Sequence, residues 1–425
     1  MITERMEKRM AKYFDKELTI RISVAYLLLI SLLFFTFFYV CWEIYWYTRV
    51  GLMFIKWHTH LFIYIFPALC LAVLSKLTSF KKIYLSIYIF LFIFCLIELL
   101  FVLGGQRMTA HEKKFGYYSS PYTTFYQSHY HTWNTTESEP WLKTEEFNYW
   151  RPTNSLGFAD KEWKFPQETP NEKRILALGD SFTEGDGAPF DSSYVSLLAH
   201  KLNRDTDNVY IMNGGVCGSD PFENYMNLEH LLLKLKPDIV IQCISTNDLY
   251  TDVAVKGGFE RFVSGGQKYK KAPWWEFIYA TSYISRLFFS ALGYNSLLIK
   301  ENDPNLQTEL NAHLRNLFYS YEALCRENNI ELLVCIMPER EEFLKNRYRF
   351  NFNELLSYLY EKQIKTCDLL PHYRTKRNVK LSYESYYWKR DAHHNSLGYS
   401  LMADGIYECV FPLLQEEKEI GYRSY

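Results

Sequence analysis

Residues 22–42, ISVAYLLLISLLFFTFFYVCW, run for 21 positions without a charge, and a stretch that long and apolar predicts one helical crossing of a bilayer. A second such run, 83–105, is interrupted only by Glu98, which near the outer end is expected to reach the headgroups. Between them, 57–75 holds His58, His60 and Pro67 yet is long enough to span, with a kink at the proline. A cleaved leader fits poorly, because no small-residue cleavage site follows the first run and further runs come after it. Basic residues set the orientation. Arg5, Lys8, Arg9, Lys12, Lys16 and Arg21 precede the first run, and Lys76, Lys81 and Lys82 lie between the second and third, against only Arg49 and Lys56 in the first connection. Positive-inside counting therefore predicts a multi-pass cell-membrane protein with a cytoplasmic N-terminus and everything after about residue 105 outside.

Three regions follow from this reading: a membrane region over 1–105, an aromatic-rich juxtamembrane segment over 106–170, and an α/β domain over 171–425. The aromatic rings of the second region suit either stacking on sugars or packing onto the next domain, with packing the simpler expectation. From about residue 171, apolar runs (RILALGDS, NVYIMNGG, PDIVIQCIS, IELLVCIM and a short one at 366–370) alternate with amphipathic helical stretches, up to LGYSLMADGIYECVFPLL. That alternation predicts a mostly parallel sheet covered by helices on both faces, with its site outside the carboxyl ends of the strands. An insertion at about 251–306, with Trp274, Trp275, Phe277, Phe288 and Phe289 on a helical pattern, reads as a core-facing helix, a cap on the site, or an aromatic helix at the membrane surface.

A formal net charge of −1, with no basic stripe, excludes a nucleic-acid partner. The nine cysteines include no CxxC, and no His/Cys cluster has zinc spacing. Most read as small core residues, and a disulfide among Cys217, Cys325, Cys367 and Cys409 has no pairing that spacing selects. His129 and His131 read as solvated surface rather than metal ligands, and Asn134-Thr135-Thr136 fits the N-glycosylation pattern.

The first strand stops at Gly179-Asp180-Ser181, placing a serine at the edge where catalysis in such sheets concentrates. A serine nucleophile needs a base, and a histidine base needs a carboxylate. Asp391 and His393 stand two residues apart before the last helix, with His394 the competing imidazole. Acyl transfer also needs oxyanion donors. Gly218, after the second strand, can offer a backbone N–H, and Asn247, after the third, a side-chain amide.

GDSFTEG, the glycine after the second strand, STND and DAHHNSLGY, in that order, resemble the four blocks of the SGNH hydrolases, also called GDSL-type esterases, over roughly 171–415. The resemblance implies a flavodoxin-like three-layer α/β/α domain, here preceded by three transmembrane helices. It also implies Ser181 as nucleophile, His393 as base held by Asp391, and an oxyanion hole from the Ser181 and Gly218 N–H groups and Asn247. The third block departs from the pattern in carrying Ser245 where glycine is usual, and the GxSxG elbow of the α/β-hydrolases is absent.

The function expected is that of a serine esterase or O-acyltransferase, acting without cofactor or metal on O-acyl groups, foremost O-acetyl groups of carbohydrate. If it is a transferase, a multi-spanning membrane protein would supply the acyl group. A lipid esterase and a non-catalytic assembly subunit of the same fold are the alternatives.

Overall fold

The computed structural model describes residues 6, 9–15, 31, 34, 37–42, 52–54, 86, 89–90, 93–94, 96–101, 117–119, 141–143, 146–166, 172–206, 208–263, 266–267, 270 and 273–422. Most of the three apolar runs, and with them His129, His131 and Asn134, lie outside these. No helix among the described residues is long and apolar enough to cross a membrane. By contacts the chain divides into two units, one of 1–125 with 271–298 and one of 126–270 with 299–425. The predicted insertion is therefore shared: 251–270 belongs to the α/β unit, and 271–298 to the N-terminal unit.

The α/β unit is built on five strands, β1 (Lys173–Leu178), β2 (Val209–Asn213), β3 (Ile239–Ile244), β4 (Glu331–Ile336) and β5 (Lys365–Asp368). They pair in the order β2-β1-β3-β4-β5, every pair parallel as the alternation predicts, and this order is the flavodoxin-like winding that the resemblance implies. Both faces of the central strands are covered, so β1 and β3 read as apolar runs while their side chains still alternate between the two faces, whereas edge strand β5 is largely exposed. Ile175, Ala177, Ile239, Ile241 and Cys243 face a core completed by Leu198, Leu202, Met402, Ile406 and Val410. Leu176, Leu178, Val240 and Ile244 face the other, with Leu228, Leu314, Phe318, Tyr321 and Leu355.

The helices that matter for the site are α1 (Ser181–Glu184), α2 (Tyr194–Asp205) and α3 (Pro221–Asn227). In the other unit lie α4 (Glu276–Thr281) and α5 (Tyr283–Ala291), and back in the α/β unit are α6 (Pro304–Glu327) and the last helix, α7 (Ser396–Tyr422). The stretch FENYMNLEHLLLKL is not one uniform α-helix, since α3 gives way to a wider-turned segment over Leu228–Leu232. A disulfide joins Cys367 of β5 to Cys409 of α7.

Parallel pairing brings the exits of β1, β2 and β3 to one edge: Ala177 lies opposite Asn213, and Leu178 opposite Gln242. The chain leaving β2 stays against the exit of β1, through hydrogen bonds from Gly214 N to Ala177 O (2.7 Å) and from Val216 N to Gly179 O (3.0 Å).

Candidate active site

Ser181 is the first residue of α1, immediately beyond the exit of β1. Asp180 caps this short helix by accepting the Phe182 N–H at 2.9 Å, and burial pushes its carboxyl up to about 6. The Ser181 hydroxyl lies 2.7 Å from His393 Nε2, across 212 positions of chain. Behind the ring, His393 Nδ1 is hydrogen-bonded to Asp391 Oδ1. A carboxylate can only accept, so Nδ1 carries the proton and the Nε2 lone pair faces the serine.

Burial disfavours the charged form of His393, but the hydrogen bond to Asp391 and the charges of Asp186, Asp391 and Asp180 outweigh it and hold the pKa above the ordinary histidine value. The bond to His393 in turn lowers Asp391. Between acid and base, Ala392 adopts φ +70°, a left-handed conformation that folds Asp391 back onto the ring it supports.

His394 takes a different place. It is fully buried, with Nδ1 3.2 Å from the Tyr386 carbonyl and Nε2 3.0 Å from the Tyr373 hydroxyl. The carbonyl requires Nδ1–H, which leaves Nε2 to accept from the tyrosine, and burial pushes the pKa down to about 3. Of the two adjacent imidazoles, only His393 meets the serine.

The two remaining predicted residues lie on neighbouring strand exits. Gly218 is exposed in the turn after β2, at φ +73°, with open space where a side chain would project. The peptides flanking its N–H are held from both sides: the Glu184 carboxylate accepts the Cys217 N–H, and the Lys256 ammonium donates to the Gly218 carbonyl at 3.2 Å. Asn247 is exposed at the turn after β3, just before a wide-turned helix over Asp248–Val253. In the same block, Ser245 replaces the usual glycine without disrupting the turn, because its N–H and hydroxyl both bond to the buried Asp248 carboxylate, at 2.7 and 3.1 Å.

Several supporting residues carry no signal in the sequence. Glu146 accepts the N–H groups of Arg390 (2.8 Å) and Asp391 (2.7 Å), and so straps down the loop that carries acid and base. It lies between the strands of a two-stranded ribbon, Trp141–Lys143 with Asn148–Trp150, inside the aromatic-rich segment. Phe147 and Tyr149 of that ribbon are buried, Phe147 against Trp388, while the Tyr149 hydroxyl accepts the Gly187 N–H at 2.6 Å. These two rings therefore pack rather than await a sugar. Gly187, at φ +97°, passes so close to the catalytic loop that a Cβ there would sit 2.2 Å from the His394 carbonyl. Arg151 bridges Glu184 and Asp186, each at 2.7 Å. Beneath Lys256, buried Arg261 pairs with Asp220 through two contacts of 2.8 and 2.7 Å. Burial works against the Asp220 charge, but Arg261 and Lys256 overcome it and lower its pKa.

A model of the GDSL-like lipase/acylhydrolase family matches residues 177–401, just over half of the chain. An arylesterase of Vibrio mimicus is 32% identical over 76 residues, 18% of this chain and 38% of that protein, so the chain spans little more than a third of the length of this curated relative. Among solved structures, a family 3 carbohydrate esterase of Clostridium thermocellum superposes with a TM-score of 0.37 at 15% identity, covering 58% of this chain and 98% of its own. A psychrotrophic esterase of Pseudoalteromonas gives 0.34 at 13% identity, covering 57% and 100%. Similarity at that level leaves the chemistry to be argued from the side chains.

Proposed function

Because the chain belongs to the GDSL-like lipase/acylhydrolase family, we propose that it is a serine esterase or O-acyltransferase working through an acyl-enzyme on Ser181. The observation that carries this reading is the 2.7 Å contact between the Ser181 hydroxyl and His393 Nε2, with Asp391 on the far side of the ring. Ser181 Oγ attacks the ester carbonyl carbon as His393 takes its proton. The carbonyl oxygen becomes an oxyanion, received by the Ser181 N–H, the Gly218 N–H and the Asn247 amide. On collapse, the leaving alkoxide takes the proton back from His393 and departs as an alcohol. Water, or the hydroxyl of an acceptor, then attacks the acyl carbon with His393 again as base, releasing Ser181. Hydrolase and transferase differ only in that second nucleophile.

The acyl group we assign is acetyl, carried by carbohydrate of the cell envelope or its surroundings. Three apolar runs with their basic flanks support a membrane anchor that holds the domain outside the cytoplasm. The Cys367–Cys409 disulfide supports the same compartment, since such bonds persist where conditions are oxidising. In the transferase case a multi-spanning membrane partner delivers the acyl group. A lipid ester is the second reading, favoured by the exposed Trp274 and Phe288.

Intact-protein mass measured after treatment with a fluorophosphonate tests the chemistry: one adduct on the wild type and none on Ser181→Ala is expected. Equal labelling of both overturns the acyl-enzyme, and full function of Ser181→Ala in a deletion strain would establish a non-catalytic subunit. Turnover of acetyl against long-chain esters decides between carbohydrate and lipid, and unchanged polysaccharide acetylation in the deletion strain rejects the former.

A further inference from the structure

Residues 273–298 invert the pattern of a water-facing surface. Their only two charged residues, Glu276 and Arg286, are 0% and 3% exposed, whereas Trp274 is 80%, Phe288 61% and Leu292 54% exposed. In water the large apolar groups would be covered and the charges solvated. Here the charges are satisfied internally. Arg286 donates to the carbonyls of Tyr279 (3.0 Å) and Ala280 (3.1 Å) and lies over the Tyr283 ring, and Glu276 accepts from the Tyr294 hydroxyl at 3.2 Å. Stacked pairs, Trp275 on Phe289 and Tyr279 on Tyr294, hold α4 and its following chain together.

The same inversion occurs in the apolar run that belongs to this unit. Phe90, Ile93, Leu96 and Leu100 are exposed while Glu98 is wholly buried. Its carboxylate accepts from the Ser282 hydroxyl (2.6 Å) and from the N–H groups of Tyr283 (2.8 Å) and Ile284 (2.9 Å), so the acid of the third run caps the start of α5. Glu98 is not turned out to the headgroups, as the sequence suggested. An ionisable group inside an apolar medium is retained where a partner satisfies it, and an internal helix end does so here.

We propose that α4 and α5 lie in the outer leaflet of the bilayer, beside the third apolar run, with Trp274, Phe288 and Leu292 among the acyl chains. The inference rests on the membrane-anchored reading for its occupant, a lipid bilayer, and adds a second lipid contact drawn from between β3 and β4. Because neither charge of residues 273–298 is exposed, the contact they make is apolar and insensitive to salt.

The full chain, reconstituted in nanodiscs of phosphatidylcholine brominated on its acyl chains, gives the test through tryptophan emission. The lipid should quench a larger fraction in the wild type than in Trp274→Phe, equally at low and high salt. Phe288→Asp, at an exposed position, should reduce that difference by lifting the pair out of the lipid. Equal quenching of wild type and Trp274→Phe overturns the proposal. So does a Phe288→Asp variant that converts a detergent-solubilised oligomer to monomer, which would mean that a second copy covers this face. Extraction at alkaline pH reports the spanning runs separately: retention in the membrane without Trp274 quenching defeats the inference alone, and release with quenching defeats the spans alone.

Discussion

His393 and His394 are neighbours in the chain whose rings do opposite things: Nε2 of His393 lies 2.7 Å from the Ser181 hydroxyl, and Nε2 of His394 lies 3.0 Å from the buried Tyr373 hydroxyl. Substitution should separate them. His393→Gln is expected to lower kcat by roughly 10²–10⁴-fold with little change in melting temperature. His394→Phe should leave the Tyr373 hydroxyl without its acceptor, at about 1–3 kcal/mol, while the Tyr386 carbonyl keeps the Asn395 N–H at 3.2 Å. Steady-state kinetics beside thermal unfolding of the two variants makes the comparison, and a reversed pattern would exchange their roles.

The pH dependence of turnover carries a defined sign. His393 must be neutral to accept the serine proton, and its pKa is raised, so kcat/KM should fall as pH drops through a value above the ordinary histidine range. Asp391→Asn removes the main group that raises it. The acid limb should then move to lower pH while the plateau falls, and a pH–rate profile of each enzyme reads both effects.

Acid stability follows from the other imidazole. His394 has a folded pKa depressed to about 3, below its unfolded value, so between the two the unfolded chain binds more protons. Stability is therefore fully present above the unfolded histidine value and drains away as pH falls toward 3. Denaturant titrations across that window should show a shallower slope in His394→Gln than in the wild type.

The oxyanion hole proposed above predicts effects on kcat rather than KM. Asn247→Ala is expected to lower kcat by roughly 10²–10³-fold. Lys256 acts one peptide away from the Gly218 N–H, holding the Gly218 carbonyl at 3.2 Å. Loss of one charged hydrogen bond in Lys256→Met is expected to lower kcat by about tenfold, with KM nearly unchanged and Lys256→Arg partly restored. Slower phosphonate inactivation of Lys256→Met would tie the loss to the tetrahedral state.

The Cys367–Cys409 bond closes a loop of sequence separation 42, for which chain entropy gives a stabilisation of about 4 kcal/mol. Reduction, or Cys409→Ser, should lower the melting temperature. Activity at low temperature should persist, because neither sulfur touches the Ser181–His393 pair.

The sheet was legible because its central strands are covered on both sides: Ile175 to Leu178 had to be apolar at every position, and runs of that kind between amphipathic helices leave few windings. The positions of Ser181, Gly218, Asn247 and His393 were legible because each follows a strand or precedes a helix, where polar residues and glycines stand out from the apolar runs. The resemblance implied His393, and the structure sets it against Ser181 while burying His394, a difference in burial that spacing does not encode. Glu146 and Lys256 were illegible for a related reason. Each acts on backbone groups of a distant loop, and a carboxylate or ammonium that serves a peptide looks, in sequence, like any solvated charge. Glu98 misled because a helix end supplied by residues 282–284 cannot be anticipated from the run that contains it.

The strap from Glu146 to the peptides of Arg390 and Asp391 also bears on how this protein is cut for expression. A fragment beginning at residue 171 keeps every strand of the sheet yet discards the clasp on its acid–base loop, along with the Tyr149 hydroxyl against Gly187. A soluble enzyme made from this chain must start upstream of residue 141, so that the ribbon travels with the catalytic machinery.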